Sequence, residues 1–156
     1  MFRSRNEAGQ RLAKALQNLP EITEVADRHR RCLVLAIPRG GVPVGAEIAK
    51  ALHIPLDVWL AHKLGAPGNP EFAIGSVSVN GERYLDRPAI DLLGISSRYI
   101  EEETRRQSAE LARRMKLFRG HAEPVKVDGK AIILADDGIA TGSTVLSAIA
   151  SLRRAG

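Results

Sequence analysis

The stretch Ile132-Ile133-Leu134-Ala135-Asp136-Asp137-Gly138-Ile139-Ala140-Thr141-Gly142-Ser143-Thr144 combines residue types that can do chemistry together. An apolar run ends in two adjacent carboxylates. A loop of small and hydroxyl residues follows, and a helical pattern begins near Ser143. The apolar run reads as a strand buried on both faces. Small residues let backbone N–H groups approach an anion closely, and a helix N-terminus points positive charge at it. The carboxylates Asp136 and Asp137 would repel that anion. They suit hydrogen bonds from sugar hydroxyls, or a place near a divalent cation. The order as a whole suits a sugar phosphate held at the end of a strand.

Two further stretches have related character. Cys32-Leu33-Val34-Leu35-Ala36-Ile37 reads as a second buried strand; Pro38-Arg39-Gly40-Gly41-Val42-Pro43-Val44-Gly45 follows, and Ala46–Leu52 has a helical pattern. This is again strand, Gly-rich loop, helix, although glycines also serve ordinary tight turns. Leu56–Ala61 reads as a third strand. After it, His62-Lys63-Leu64-Gly65-Ala66-Pro67-Gly68-Asn69-Pro70-Glu71 is dense enough in Gly and Pro to be expected to lack regular structure. Lys63 is either a solvated loop charge or a ligand contact.

With these residues in view, the chain resembles the type I phosphoribosyltransferases, which use phosphoribosyl pyrophosphate (PRPP). Their pattern is four apolar residues, two acids, two apolar residues and a short Thr/Gly/Ser/Ala loop. Ala135 and Gly138 depart from it mildly. The wording of Lys63–Glu71 is similar to an uncharacterised branch of the family. The resemblance implies that the backbone amides of Ile139, Ala140, Thr141, Gly142, Ser143 and Thr144 hold the 5′-phosphate, helped by the hydroxyls. It implies that Asp136 and Asp137 take the ribose hydroxyls. Arg39, Gly40, Gly41 and Lys63 would face pyrophosphate, and the Arg39-Gly40 peptide bond is the expected place for an unusual backbone geometry. Mg²⁺ is the implied cofactor, with no direct protein ligand: it would come with PRPP, reached through Asp136 or Asp137 and water. In the 6-oxopurine branch, the third residue after the acids is another Asp. Ala140 stands there in this chain, which argues against a hypoxanthine-guanine enzyme and leaves the acceptor unnamed.

The chain has 156 residues, enough for one domain with a real core. Hydrophobic content of 44% and charged content of 26% fit a globular protein. No apolar run is long enough to span a bilayer, no secretory leader pattern is visible, and the expectation is a cytoplasmic protein. Cys32 is the only cysteine, so no internal disulfide can form, and no Cys/His spacing suggests structural zinc. The net charge of +5 suits anionic ligands, including nucleic acid, but 4% aromatic residues leave little for stacking bases.

Asn6–Leu19 places Ala8, Leu12, Ala13, Leu16 and Leu19 at helical spacing, with Pro20 expected to end the helix, and Ile22–Arg31 reads as a short helix or turn. Ala73–Val79, Asn80-Gly81 and Glu82–Leu85 read as an appended β-hairpin. Ser96–Arg119 is the longest helix candidate, capped by Ser96 or Ser97, with Ile100, Thr104, Ser108, Leu111, Met115 and Phe118 inward and Gly120 stopping it. Its arginines suit a solvated face, or less readily an RNA or partner surface. The last helix has Val145, Leu146, Ile149 and Leu152 as its expected inner face. The expected fold class is α/β: a parallel sheet flanked by helices, which the resemblance implies is type I phosphoribosyltransferase-like, with an appended β-hairpin and a long helix, in a single domain over residues 1–156.

The sequence stops at Gly156, directly after that helix, where the resemblance implies at least one more parallel strand. The expectation is a domain incomplete at its C-terminus, or an open strand edge covered by a homodimer or by the hairpin. The functional expectation is a PRPP-dependent glycosyltransferase of nucleotide salvage, moving the phosphoribosyl group to a nitrogenous, nucleobase-like acceptor and releasing pyrophosphate. The alternative on the same fold is a non-catalytic PRPP-sensing or RNA-binding regulator.

Overall fold

A computed structural model describes residues 2–23, 31–79, 81–119, 125–139 and 142–155. The chain divides into two compact units, one built from the segments 1–59 and 125–141, the other from 60–124 and 142–155.

The first unit holds a three-stranded parallel sheet and the helices on it. Its strands are β1 (Cys32–Ala36), β2 (Leu56–Val58) and β6 (Ala131–Ala135), in the order β2-β1-β6. Every residue of β1 is buried, as its unbroken apolar run requires. β6 pairs with β1 from Cys32↔Ala131 to Ala36↔Ala135. Only Ala135 of β6 is buried: the strand is an edge of this sheet, so its apolar run is half-covered rather than buried on both faces. Among the described residues no strand pairs with its other side.

Helix α1 (Arg5–Leu16) packs on α3 (Gly41–Leu52). Ser4 caps α1 by accepting the Glu7 N–H. The buried face of α1 is Gly9 and Ala13, with Leu16 packed beside the core; Leu12 and Leu19 are exposed. The expected leucine face is too broad, because α1 meets α3 at its smallest residues. A Cβ on Gly9 would stand 2.7 Å from the Val44 carbonyl oxygen and 2.8 Å from Glu47 Cβ. Pro20 does not terminate α1, which already ends at Leu16; it opens the short helix α2 (Pro20–Thr23), a first-turn position that suits its fixed φ. The core of this unit joins Ala13 and Ile22 to Cys32 and Val34 of β1, Val44, Ile48, Ala49 and Leu52 of α3, Ile54, and Ala135 of β6. Helix α3 starts at Gly41, earlier than its apolar pattern suggests, so much of the Gly-rich stretch is already helical.

The second unit is an antiparallel sheet with helices. Strands β3 (Ala61–Ala66), β4 (Asn69–Ser78) and β5 (Arg83–Leu85) follow one another in the order β3-β4-β5. Here the structure overturns the expectation for residues 62–71. The Gly/Pro density marks a tight hairpin, not a loop: Ala66 pairs with Asn69 around Pro67-Gly68, and Gly68 takes φ +73°. Gly65 absorbs an irregular register beside the turn, where a Cβ would stand 2.7 Å from Pro70 Cα. The expected strand Leu56–Ala61 accordingly divides into β2 and the start of β3. The second hairpin is present, with Gly81 at φ +82° and β5 returning; Asn80 lies outside the described residues.

Helix α4 (Arg87–Leu92) is capped by Asp86, and the long helix α5 (Ser97–Arg119) by Ser96, which accepts the Tyr99 N–H. Ile100, Leu111 and Met115 are buried as expected, but Phe118 is exposed. Glu103 is also buried, which the apolar pattern does not anticipate. Burial pushes its carboxyl up, but hydrogen bonds from Arg106 and Gln107 outweigh that and hold it below the ordinary value. Gly120 lies outside the described residues. The last helix is α6 (Ser143–Ala155); its most buried residues are Ala148 and Ser151, while Leu146 is 64% exposed. The inner face runs through the small residues, about half a turn from Leu146.

Gly9→Ala tests the contact between α1 and α3. In an open helix the change would stabilise by about 1 kcal/mol. Here the added methyl overlaps the backbone of α3, and the expected result is a loss of about 1–3 kcal/mol in denaturant unfolding.

Candidate active site

Parallel pairing of β1 and β6 brings their carboxyl ends side by side, because Ala36 and Ala135 are in register. The Ile37 N–H donates to the Ala135 carbonyl at 2.8 Å, extending the alignment one residue beyond the strand. The two loops that carry the candidate residues therefore start from a common point. This is where ligands sit in parallel sheets.

After β1 the chain turns through Pro38-Arg39-Gly40 into α3, with Gly41 N–H donating to the Ile37 carbonyl at 3.0 Å. The Pro38-Arg39 peptide bond is cis. The unusual bond thus precedes Arg39 rather than following it, one residue before the expected place. Both glycines lie close to the acids. A Cβ on Gly40 would overlap the Asp137 carboxylate, and one on Gly41 would stand 2.9 Å from Asp136 Cα. Gly40 and Gly41 thereby lie against Asp137 and Asp136, while Arg39, just before them, is exposed.

The two acids differ in environment. Asp136 is half-buried, and its Oδ1 accepts the Asp137 N–H at 2.8 Å. Burial pushes the Asp136 carboxyl up, and the neighbouring Asp137 adds to this. Asp137 is pulled down, chiefly by the hydrogen bond from Arg5. Arg5 Nη2 lies 2.7 Å and Nε 2.8 Å from Asp137 Oδ2. Arg5 is not among the sequence candidates: 132 positions separate it from Asp137. Its one sequence signal is a basic residue at the start of an amphipathic helix.

Ile139 is exposed beyond the acids, and nothing crowds Gly138. Ala140 and Thr141 lie outside the described residues. In the second unit, Gly142 takes φ +80°, and its carbonyl accepts the Leu146 N–H at 2.8 Å. Ser143 begins α6 as expected, and Thr144 is exposed in its first turn. Lys63 lies in β3, with its ammonium 2.7 Å from Glu71 of the adjoining strand. Neighbouring His62 meets Gln107 of α5, with 2.9 Å between Nδ1 and Oε1.

Among the described residues no group of three or more His, Cys, Asp or Glu is placed to hold a metal ion. Asp136 and Asp137 offer hard carboxylate oxygens that suit Mg²⁺ through water or a ligand, but not a dedicated cage. No helix among the described residues is long and apolar enough to cross a membrane.

Comparison with known proteins agrees with this geometry. The sequence pattern of the Phosphoribosyl transferase domain family matches residues 7–156. Two proteins of Mycobacterium tuberculosis, from strains CDC 1551 and H37Rv and each named "Putative phosphoribosyl transferase", are 36% identical over 148 residues. That match covers 95% of this chain and 32% of each relative, so the chain spans about a third of the length of these curated relatives. The crystal structure of the protein TT1426 from Thermus thermophilus superposes with a TM-score of 0.82 at 37% identity, covering 99% of this chain and 70% of that one. The paired loops at the ends of β1 and β6, with a family match over nearly the whole chain, show that the protein belongs to the phosphoribosyl transferase domain family.

Proposed function

We propose that this chain transfers the phosphoribosyl group of PRPP to a nitrogenous, nucleobase-like acceptor with release of pyrophosphate. The observation that carries the reading is the contact of the Arg39-Gly40-Gly41 turn with the Asp136-Asp137 pair. It sets a loop fit for an anion beside carboxylates fit for hydroxyls, which is how charge and hydroxyls are distributed on PRPP.

In this reading Asp136 and Asp137 accept hydrogen bonds from the ribose hydroxyls. Arg39 and the amides of Gly40 and Gly41 receive pyrophosphate, and Lys63 exchanges Glu71 for it. The amides from Ile139 to Thr144 and the hydroxyls of Thr141, Ser143 and Thr144 receive the 5′-phosphate. As the bond to pyrophosphate breaks, the anomeric carbon gains positive character, which the two carboxylates stabilise through space. Arg39 and Lys63 stabilise the negative charge that gathers on the leaving group. Mg²⁺, held through PRPP and water near Asp136 and Asp137, supplies further neutralisation of that charge.

The ion pairs of α5 favour this reading over an RNA-binding regulator. Arg98 pairs with Glu102, Arg106 with Glu103, and Arg113 and Arg114 with Glu110. Four of the seven basic residues of the helix are thus engaged by acids on the same helix rather than free to line a stripe for phosphates.

Thermal unfolding with Mg²⁺ and PRPP tests the premise: at about 100 times Kd, a ligand of the native state adds about 2.7 kcal/mol. Pyrophosphate release screened across nucleobases then separates transfer from mere sensing: release that depends on one base supports transfer, and the absence of release with every base favours the sensor. Asp137→Asn is expected to keep the fold, since the pair it breaks is solvent-exposed, and to weaken PRPP binding or turnover at least ten-fold. Full affinity and activity in that variant would remove the sugar-hydroxyl role.

Carboxyl NMR titration checks the site's electrostatics. Asp137 should titrate below its ordinary value of 3.8, and Asp136 above it. Because folding depresses Asp137, its Arg5 contact contributes stability above the unfolded pKa, lost as pH falls through the lower folded value. Arg5→Gln should move the Asp137 midpoint upward.

A further inference from the structure

Arg5 is held at the acid pair by more structure than an incidental surface contact has. It is the first residue of α1. That helix start is tied to α3, where Glu47 accepts hydrogen bonds from Asn6 at 3.1 Å and Gln10 at 3.0 Å. The close approach at Gly9 fixes the same pair of helices. From this platform the guanidinium reaches Asp137, and both contacts fall on Oδ2, so Oδ1 is not held by Arg5. The Asp137 carboxylate in turn lies against Gly40.

A guanidinium carries five N–H donors. Only Nε and Nη2 are engaged on Asp137, and the rest meet no other acceptor among the described residues. The side chain is 59% exposed. An exposed pair of this kind adds little to stability, so the fold gains little by placing it there. A planar cation with an open edge, beside a glycine turn, fits bidentate recognition of a phosphate.

We propose that Arg5 is a binding residue for the diphosphate of the substrate, its guanidinium bridging Asp137 and the anion received by the Arg39–Gly41 turn. The inference rests on the phosphoribosyl transfer reading above. Asp137 holds the guanidinium in place, and Arg5 in turn screens the arriving anion from the Asp137 charge. The pair acts as one unit, in which the acid serves the sugar and the base serves the diphosphate.

Calorimetric titration of the wild-type chain, Arg5→Gln and Arg5→Lys with Mg²⁺ and either inorganic pyrophosphate or PRPP decides the matter. Melting temperature serves as the control for folding. Arg5→Gln is expected to lose about ten-fold or more in affinity for both ligands, and Arg5→Lys less, because it keeps the charge without the fork. Pyrophosphate has no ribose, which separates contact from positioning. If Arg5→Gln weakens PRPP but leaves pyrophosphate unchanged, Arg5 only positions Asp137 and the proposal is overturned. Unchanged affinity for both ligands overturns it as well, while the transfer reading stands. A wild-type chain that binds neither ligand overturns both. Should Arg5→Gln fail to fold, the same comparison of the two ligands in Arg5→Lys discriminates between contact and positioning.

Discussion

The pairing of β1 with β6 is the constraint on which the candidate site depends. Parallel strands in register end at the same level, so the chain segments leaving Ala36 and Ala135 must pass each other closely. A Cβ at Gly41 would press on the backbone of Ala135 and Asp136, so glycine is required there, and one at Gly40 would displace the Asp137 carboxylate. The same crowding sets a backbone rich in N–H groups against two carboxylates. The proposed site, for a ligand with both anionic groups and hydroxyls, rests on this one packing condition.

The first unit builds outward from that point. Unbroken burial of β1 anchors the sheet, and α3 covers it with Val44, Ile48 and Leu52. Helix α1 then sits on α3 through Gly9 and Ala13 and brings Arg5 to Asp137. Each layer has a hydrophobic reason to exist, while the end result is electrostatic. Asp136 and Asp137 are chemically alike but are driven apart, one by burial and one by an arginine.

The second unit is held differently. Tyr99 donates to the Gly65 carbonyl at 2.9 Å, Gln107 donates to Glu103 at 2.8 Å, and Gln107 also meets His62. A polar network therefore joins α5 to β3, on a helix that also buries Ile100 and Leu111. Because the Glu103 carboxylate only accepts, Gln107 must turn its amide N–H₂ toward it. Its carbonyl oxygen then faces His62, whose Nδ1–H donates to it. The network fixes the side chain that precedes Lys63, where a short hairpin alone would leave it loose.

Much of this is legible in the residues themselves. Apolar runs closed by acids or glycines mark β1, β6 and the loops after them, because local propensity and burial pattern agree there. Asn80-Gly81 marks a hairpin for a similarly local reason. The Pro67-Gly68 turn is harder to read, since Gly and Pro interrupt a strand and close a hairpin with the same residue types. The faces of α1 and α6 mislead as well: leucine spacing suggests burial, but Gly9, Ala13, Ala148 and Ser151 allow closer approach and take the contacts. The sequence by itself determined which residue types could grip a phosphorylated sugar. Only the tertiary structure decided that Arg5 meets Asp137 and that Glu103 is buried, because those contacts arise between elements far apart in the chain, where side-chain spacing carries no information about the partner.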